Sequence, residues 1–84
     1  MARVIHRLVG YDRRTDRITV QFDIPNELMP EVKKIAKVTA DDPDAVWSYP
    51  LSKAGTGRVA ALIGAKLPDD NAEFFVEAFA TEEL

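Results

Sequence analysis

Cysteine is absent from this chain of 84 residues, and histidine occurs once, at position 6. The first absence excludes a disulfide framework and any thiolate metal site. The second leaves a zinc centre with carboxylates for its remaining ligands, a donor set that suits hard cations better than zinc. Long apolar runs are also missing. No stretch approaches the ~18 residues that cross a bilayer. The opening Met-Ala-Arg-Val-Ile-His-Arg-Leu-Val-Gly is broken by charge every two or three positions, unlike the apolar core of a secretory signal. A cytoplasmic protein with no membrane contact is the expectation.

What is present fits one compact α+β domain spanning residues 1–84, since 46% hydrophobic and 30% charged residues are ordinary globular values. Eleven basic against 14 acidic side chains give a net charge of −3. That balance argues against a protein whose main task is to hold nucleic acid, which needs a strongly basic face. The charge is uneven along the chain: residues 1–40 carry 8 basic and 5 acidic groups, residues 41–84 only 3 basic and 9 acidic.

Periodicity supplies the elements. Residues 3–11 alternate imperfectly, and in 17–24 Ile18, Val20, Phe22 and Ile24 share one face against Thr19, Gln21 and Asp23. Between them Asp12 is placed to accept backbone hydrogen bonds and Asp16 to adopt a left-handed conformation, which makes a hairpin with a loop of four or five residues. Pro30 suits a first helical turn. Val32, Ile35, Ala36 and Thr39 then recur at helical spacing with Lys33, Lys34 and Lys37 opposite, predicting a helix over about 30–39. Val46-Trp47-Ser48-Tyr49 reads as a short strand stopped by Pro50, and Ser52 or Thr56 as the cap of a second helix ended by Gly64. Residues 73–80 read as strand or helix, with three phenylalanines and a valine tilting the balance to strand. The expected fold is a two-layer α+β sandwich in ββαβαβ order, with a four-stranded mixed sheet and two helices on one face.

Tyr11-Asp12-x-x-Thr15-x-x-Ile18, Asp41-Asp42-Pro43, Trp47-x-Tyr49-Pro50-Leu51 and Phe74-Phe75-Val76-Glu77-Ala78-Phe79 together resemble a group of small, uncharacterised bacterial single-domain proteins. The resemblance covers nearly the whole chain. It implies a compact α+β fold and contributes no catalytic residue.

Candidate chemistry is sparse. His6 has only Ile5 and Arg7 beside it on its strand and reads as structural or solvated. Asp41, Asp42 and Asp44 could hold a hard cation, as could Asp69 with Asp70, but without the spacing of a calcium loop, and ordinary turn chemistry is the reading taken. Gly55, Thr56, Gly57 and Arg58 could receive an anion at a helix start, though they match neither a P-loop nor a dinucleotide fingerprint. Arg13, Arg14 and Arg17, with Arg3 and Arg7, form an arginine cluster interleaved with Asp12 and Asp16. Trp47 and Tyr49 either lie in the core or join Phe75 and Phe79 on an uncovered sheet face, where aromatic residues anchor protein partners.

These readings point to a non-enzymatic protein-interaction module, docking a protein partner or a second copy of itself through Trp47, Tyr49, Phe75 and Phe79. No catalytic residue, metal or cofactor is assigned. The alternative is a small anion- or nucleotide-binding protein using Gly55 to Arg58.

Overall fold

A computed structural model describes residues 2–67 and 72–82. Asp69 and Asp70, and the side chain of Arg3, lie outside the described residues. The chain runs through β1 (Ala2–Asp12), β2 (Ile18–Ile24), a 3-10 turn (Asn26–Leu28), α1 (Met29–Ala36), β3 (Tyr49–Pro50), α2 (Lys53–Ile63) and β4 (Ala72–Glu82). The four strands form one sheet in the order β2-β1-β4-β3. The two long strands, β1 and β4, sit side by side at its centre.

Every neighbouring pair is antiparallel, which corrects the expected mixed sheet. A helix alone carries the chain back to the end of the sheet where the previous strand began, so the next strand runs parallel. Here an irregular segment after α1 undoes that return. β2 ends at Ile24, opposite His6. After α1, residues 37–48 come back to that end, where the His6 ring reaches the carbonyls of Asp44 and Ala45. The chain therefore starts β3 where β2 stopped, and runs the other way.

The hairpin follows the local chemistry. Asp12 Oδ1 accepts the amides of Arg14 and Thr15 at 2.7 and 3.1 Å, and Asp16 takes the left-handed conformation with φ 57°. Those two amides hold the Asp12 carboxyl below its ordinary range.

One face of the sheet carries the core. Leu8, Ile24, Phe74, Val76 and Tyr49 meet Met29, Val32 and Ala36 of α1 and Val59 and Ala60 of α2, so both helices cover this side. Gly10 of β1 lies under the Phe74 ring. A Cβ there would stand 2.8 Å from the ring and 3.0 Å from Val20 Cγ1, so only glycine lets the aromatic side chain settle onto the strand.

Both helices end in the same way. Lys37 takes φ 57° while Val38 N–H bonds Lys33 O and Lys37 N–H bonds Lys34 O. Gly64 takes φ 69° with the matching bonds from Ala65 to Ala60 and from Gly64 to Ala61. This is the Schellman arrangement, and in each case the residue after the left-handed one packs on the core. Burial of Val38 offsets the left-handed strain at Lys37. The first helix thus stops three residues short of the expected 39, leaving Thr39 exposed. Lys33 also departs from the expected solvent face: it is half-buried and donates to Pro43 O. β3 is shorter than expected and includes Pro50, which an edge strand tolerates because the missing N–H would face outward.

Candidate interaction face

Strand alternation sends Ile5, Arg7, Val9 and Tyr11 of β1 to the face that no helix covers, with Phe75, Glu77 and Phe79 of β4 beside them. Register places Ile5 opposite Phe79, Arg7 opposite Glu77, Val9 opposite Phe75, and Asp23 of β2 on the other flank of Arg7. The side chains interlock along these rows. Arg7 lies over the Phe79 ring with Cζ 5.0 Å from its centroid, and it donates to Asp23 at 2.9 Å and Gln21 at 3.2 Å. The Tyr11 and Phe75 rings meet edge to face at 5.5 Å. Tyr11 donates to the Glu77 carboxylate at 2.9 Å, and the Ser48 hydroxyl donates to the same group at 3.0 Å. Desolvation, then the hydrogen bond and charge of Glu77, push the Tyr11 phenol above its ordinary value.

Val9 is fully buried although it lies on the uncovered side. Phe75, Phe79, Tyr11 and Arg7 are each half-buried. The face is therefore a platform of aromatic rings and paired charges whose side chains hold one another in place.

Of the four aromatic residues expected to share a surface, the structure brings together two, Phe75 and Phe79. Tyr49 takes the core alternative: it is 8% exposed and its hydroxyl bonds Asp42. Trp47 precedes the shortened β3 and is 57% exposed. The two do not share a strand, because pairing begins only at Tyr49. Arg7, Tyr11 and Glu77 complete the platform. Their signal lay in the odd-numbered positions of β1 and β4, legible only once these strands are known to be neighbours.

Asp42 is 4% exposed and accepts from Val46 N, Trp47 N and the Tyr49 hydroxyl, whereas Asp41 and Asp44 are exposed. Burial pulls the Asp42 carboxyl upward, but the Tyr49 hydroxyl, the two amides and the nearby His6 outweigh it and leave it below its ordinary value. Both of its oxygens accept hydrogen bonds from within the loop and from Tyr49. No group of three or more metal-ligating side chains occurs among the described residues. His6 is 8% exposed, with Nε2 at 3.1 Å from both the Asp44 and Ala45 carbonyl oxygens. Two acceptors on that side require Nε2 to carry the hydrogen, so His6 is a donor that holds the loop on the sheet.

Gly55 to Arg58 fall inside α2 rather than before it. Ser52 is the cap: its Oγ accepts Gly55 N at 3.0 Å and its carbonyl accepts the Thr56 amide and hydroxyl, each at 2.8 Å. The donors expected to receive an anion are used within the helix, and Arg58 is exposed. A cleft of about 650 Å³ does open beside this turn, lined by Arg13, Lys53, Thr56, Gly57, Leu51 and Phe74 among others. The arginine cluster is not gathered: Arg13, Arg14 and Arg17 are exposed at the hairpin tip, while Arg7 is held on the sheet by Asp23. Among the described residues no helix is long and apolar enough to cross a membrane.

Comparison with curated proteins and with solved structures finds no match. Comparison with domain families matches residues 5–77, a span that takes in both helices, the Asp42 loop and the β1 and β4 residues of the platform up to Glu77. On that match the chain belongs to the family described as a domain of unknown function, DUF7683.

Proposed function

We propose that this chain is a cytoplasmic, non-enzymatic interaction module whose uncovered sheet face docks a second copy of itself. The observation that supports this reading is the platform of Arg7, Tyr11, Phe75, Glu77 and Phe79. Aromatic rings and arginine are the usual anchors of protein interfaces. The platform carries both signs of charge, so a copy rotated about a two-fold axis can set Arg7 of one chain against Glu77 of the other. Sedimentation velocity across a concentration range tests the idea. Wild type should pass from monomer to dimer, and Phe79→Glu, which keeps a partner for Arg7 but removes the ring, should stay monomeric at the same folded content. A wild type that remains monomeric at millimolar concentration would exclude the second copy.

The cleft beside α2 supports a second reading, a small anion-binding protein. Arg13 and Lys53 supply two cationic groups against one carboxylate, Glu73, in a space also lined by Leu51 and Phe74, which suits an anion with an apolar body. Backbone amide shifts at Thr56 and Gly57 during titration with phosphate and nucleotides are the measurement. Unmoved resonances would end this reading.

A further inference from the structure

Three of the four glycines have a reason in the fold. Gly10 lies under the Phe74 ring, a Cβ at Gly55 would stand 3.2 Å from Ser52 Oγ, and Gly64 takes φ 69°. Gly57 has none of these. It sits within α2 without a positive φ, and a Cβ there would meet no atom within 4 Å. Alanine in its place would favour the helix, so the glycine costs stability and nothing in the packing offsets it.

Gly57 opens onto the cleft beside α2, where Lys53 and Thr56 share its stripe of the helix at i,i+3,i+4 spacing. Bare backbone in the wall of a cleft is what close approach of a ligand requires. The volume, about 650 Å³, is that of a site for an organic molecule, and a simple inorganic anion would leave most of it empty. The charge in the wall is modest, with Arg13 and Lys53 against the carboxylate of Glu73. Lys53 already has an interaction within the chain, whereas the Arg13 guanidinium has no hydrogen bond or ion pair among the described residues. One unpaired guanidinium suits a single carboxylate, held by two parallel hydrogen bonds, better than a di- or triphosphate. Leu51, Phe74 and Phe75 supply apolar wall for the rest of the molecule.

We infer that the cleft takes an aromatic monocarboxylate, its carboxylate on Arg13 and its ring laid against the bare α2 backbone at Gly57, an assignment that rests on the anion-binding reading of this cleft. A helix turn without a Cβ presents a flat strip of peptide. An aromatic ring touches such a strip over its whole face, while a puckered saturated ring meets it only at a few hydrogens and gains less dispersion contact. Gly57 is then the residue that decides which anions enter.

The test follows the Thr56 amide resonance during titration of the whole chain with naphthoate, with its saturated analogue decahydronaphthoate, and with inorganic phosphate. Naphthoate should shift the resonance, and the saturated analogue should bind several-fold more weakly. Gly57→Ala should raise the unfolding temperature and yet weaken naphthoate about tenfold or more, the scale of a methyl forced into filled space. That opposition separates a ligand role from damage to the fold. Arg13→Gln, at the exposed hairpin tip, should also weaken naphthoate about tenfold, the scale of a lost charge-assisted hydrogen bond. If phosphate moves Thr56 and naphthoate does not, the anion reading stands and the aromatic carboxylate falls. If neither moves it at millimolar concentration, both fall. Equal binding of the saturated analogue, or unchanged naphthoate binding by Gly57→Ala, would overturn this inference alone. Full binding by Arg13→Gln would leave no role for charge and would overturn both.

Discussion

The Tyr49 hydroxyl donates to the Asp42 carboxylate across a seven-residue gap, closing a loop that brings the edge strand onto the sheet. Asp42 also takes the amides of Val46 and Trp47, so one carboxylate organises residues 42–49. Asp42→Asn should lower the unfolding temperature clearly, because an amide in that place presents a donor to donors. Asp41→Asn, on an exposed neighbour, should leave it nearly unchanged. Tyr49→Phe should fall between. Thermal unfolding of the three variants is the measurement.

Acid should act through the same carboxylate. Asp42 and Asp12 both have folded-state values below the ordinary 3.8. A depressed carboxylate contributes stability that is present above its unfolded value and is lost as pH falls through the folded one. Stability should therefore drop below about pH 4. The acid loss should shrink in Asp42→Asn when urea midpoints are compared across that range.

Alkali should act through the phenols. Burial first, and a carboxylate partner second, raise both Tyr11 and Tyr49 above 10.0. Their contribution is present below pH 10 and lost as pH rises through the raised values. Glu77→Gln should bring the Tyr11 transition part of the way down, since burial remains. Ultraviolet titration of phenolate absorbance resolves the shift.

The two ends of the helix stripe should differ sharply. Val32 is fully buried, so Val32→Ala should cost about 1.5–3 kcal/mol. Lys34 is 76% exposed and reaches Glu31 only at 3.6 Å, so Lys34→Ala should change stability by no more than about 0.5 kcal/mol. Urea unfolding compares the two directly.

The glycines should move stability in opposite directions. Gly57→Ala places a methyl in open space inside α2 and should stabilise by about 0.5–1 kcal/mol through helix propensity. Gly10→Ala drives a methyl against the Phe74 ring and Val20, and should destabilise by about 1–3 kcal/mol through overpacking. Urea midpoints for the pair give the signs.

Much of the fold was legible because it rests on local chemistry. The alternation of 17–24, the caps at Asp12 and Ser52 and the left-handed positions at Asp16 and Gly64 act within a few residues, and the structure shows each of them. Residues 72–82 form a strand because Phe74 and Val76 face the core while Phe75 and Phe79 half-cover the other side. The candidate site was half legible. Phe75 and Phe79 share a face by simple alternation, but their partners Arg7 and Tyr11 lie more than sixty residues away in the chain.

By itself the sequence determined the hairpin, the long strands and the end of α2 at Gly64, since propensity, capping and period are properties of short windows, whereas α1 ended before Thr39 and β3 began only at Tyr49. Only the tertiary structure decided that β1 and β4 pair along their length, that residues 37–48 return the chain so that β3 runs opposite to β2, and that Asp42 rather than Asp41 is buried. Those outcomes depend on contacts between distant segments: the His6 ring on the Asp44 and Ala45 carbonyls, Tyr49 on Asp42, and Phe74 over Gly10. No local pattern encodes such contacts, because each arises from the shape left when the whole core is packed.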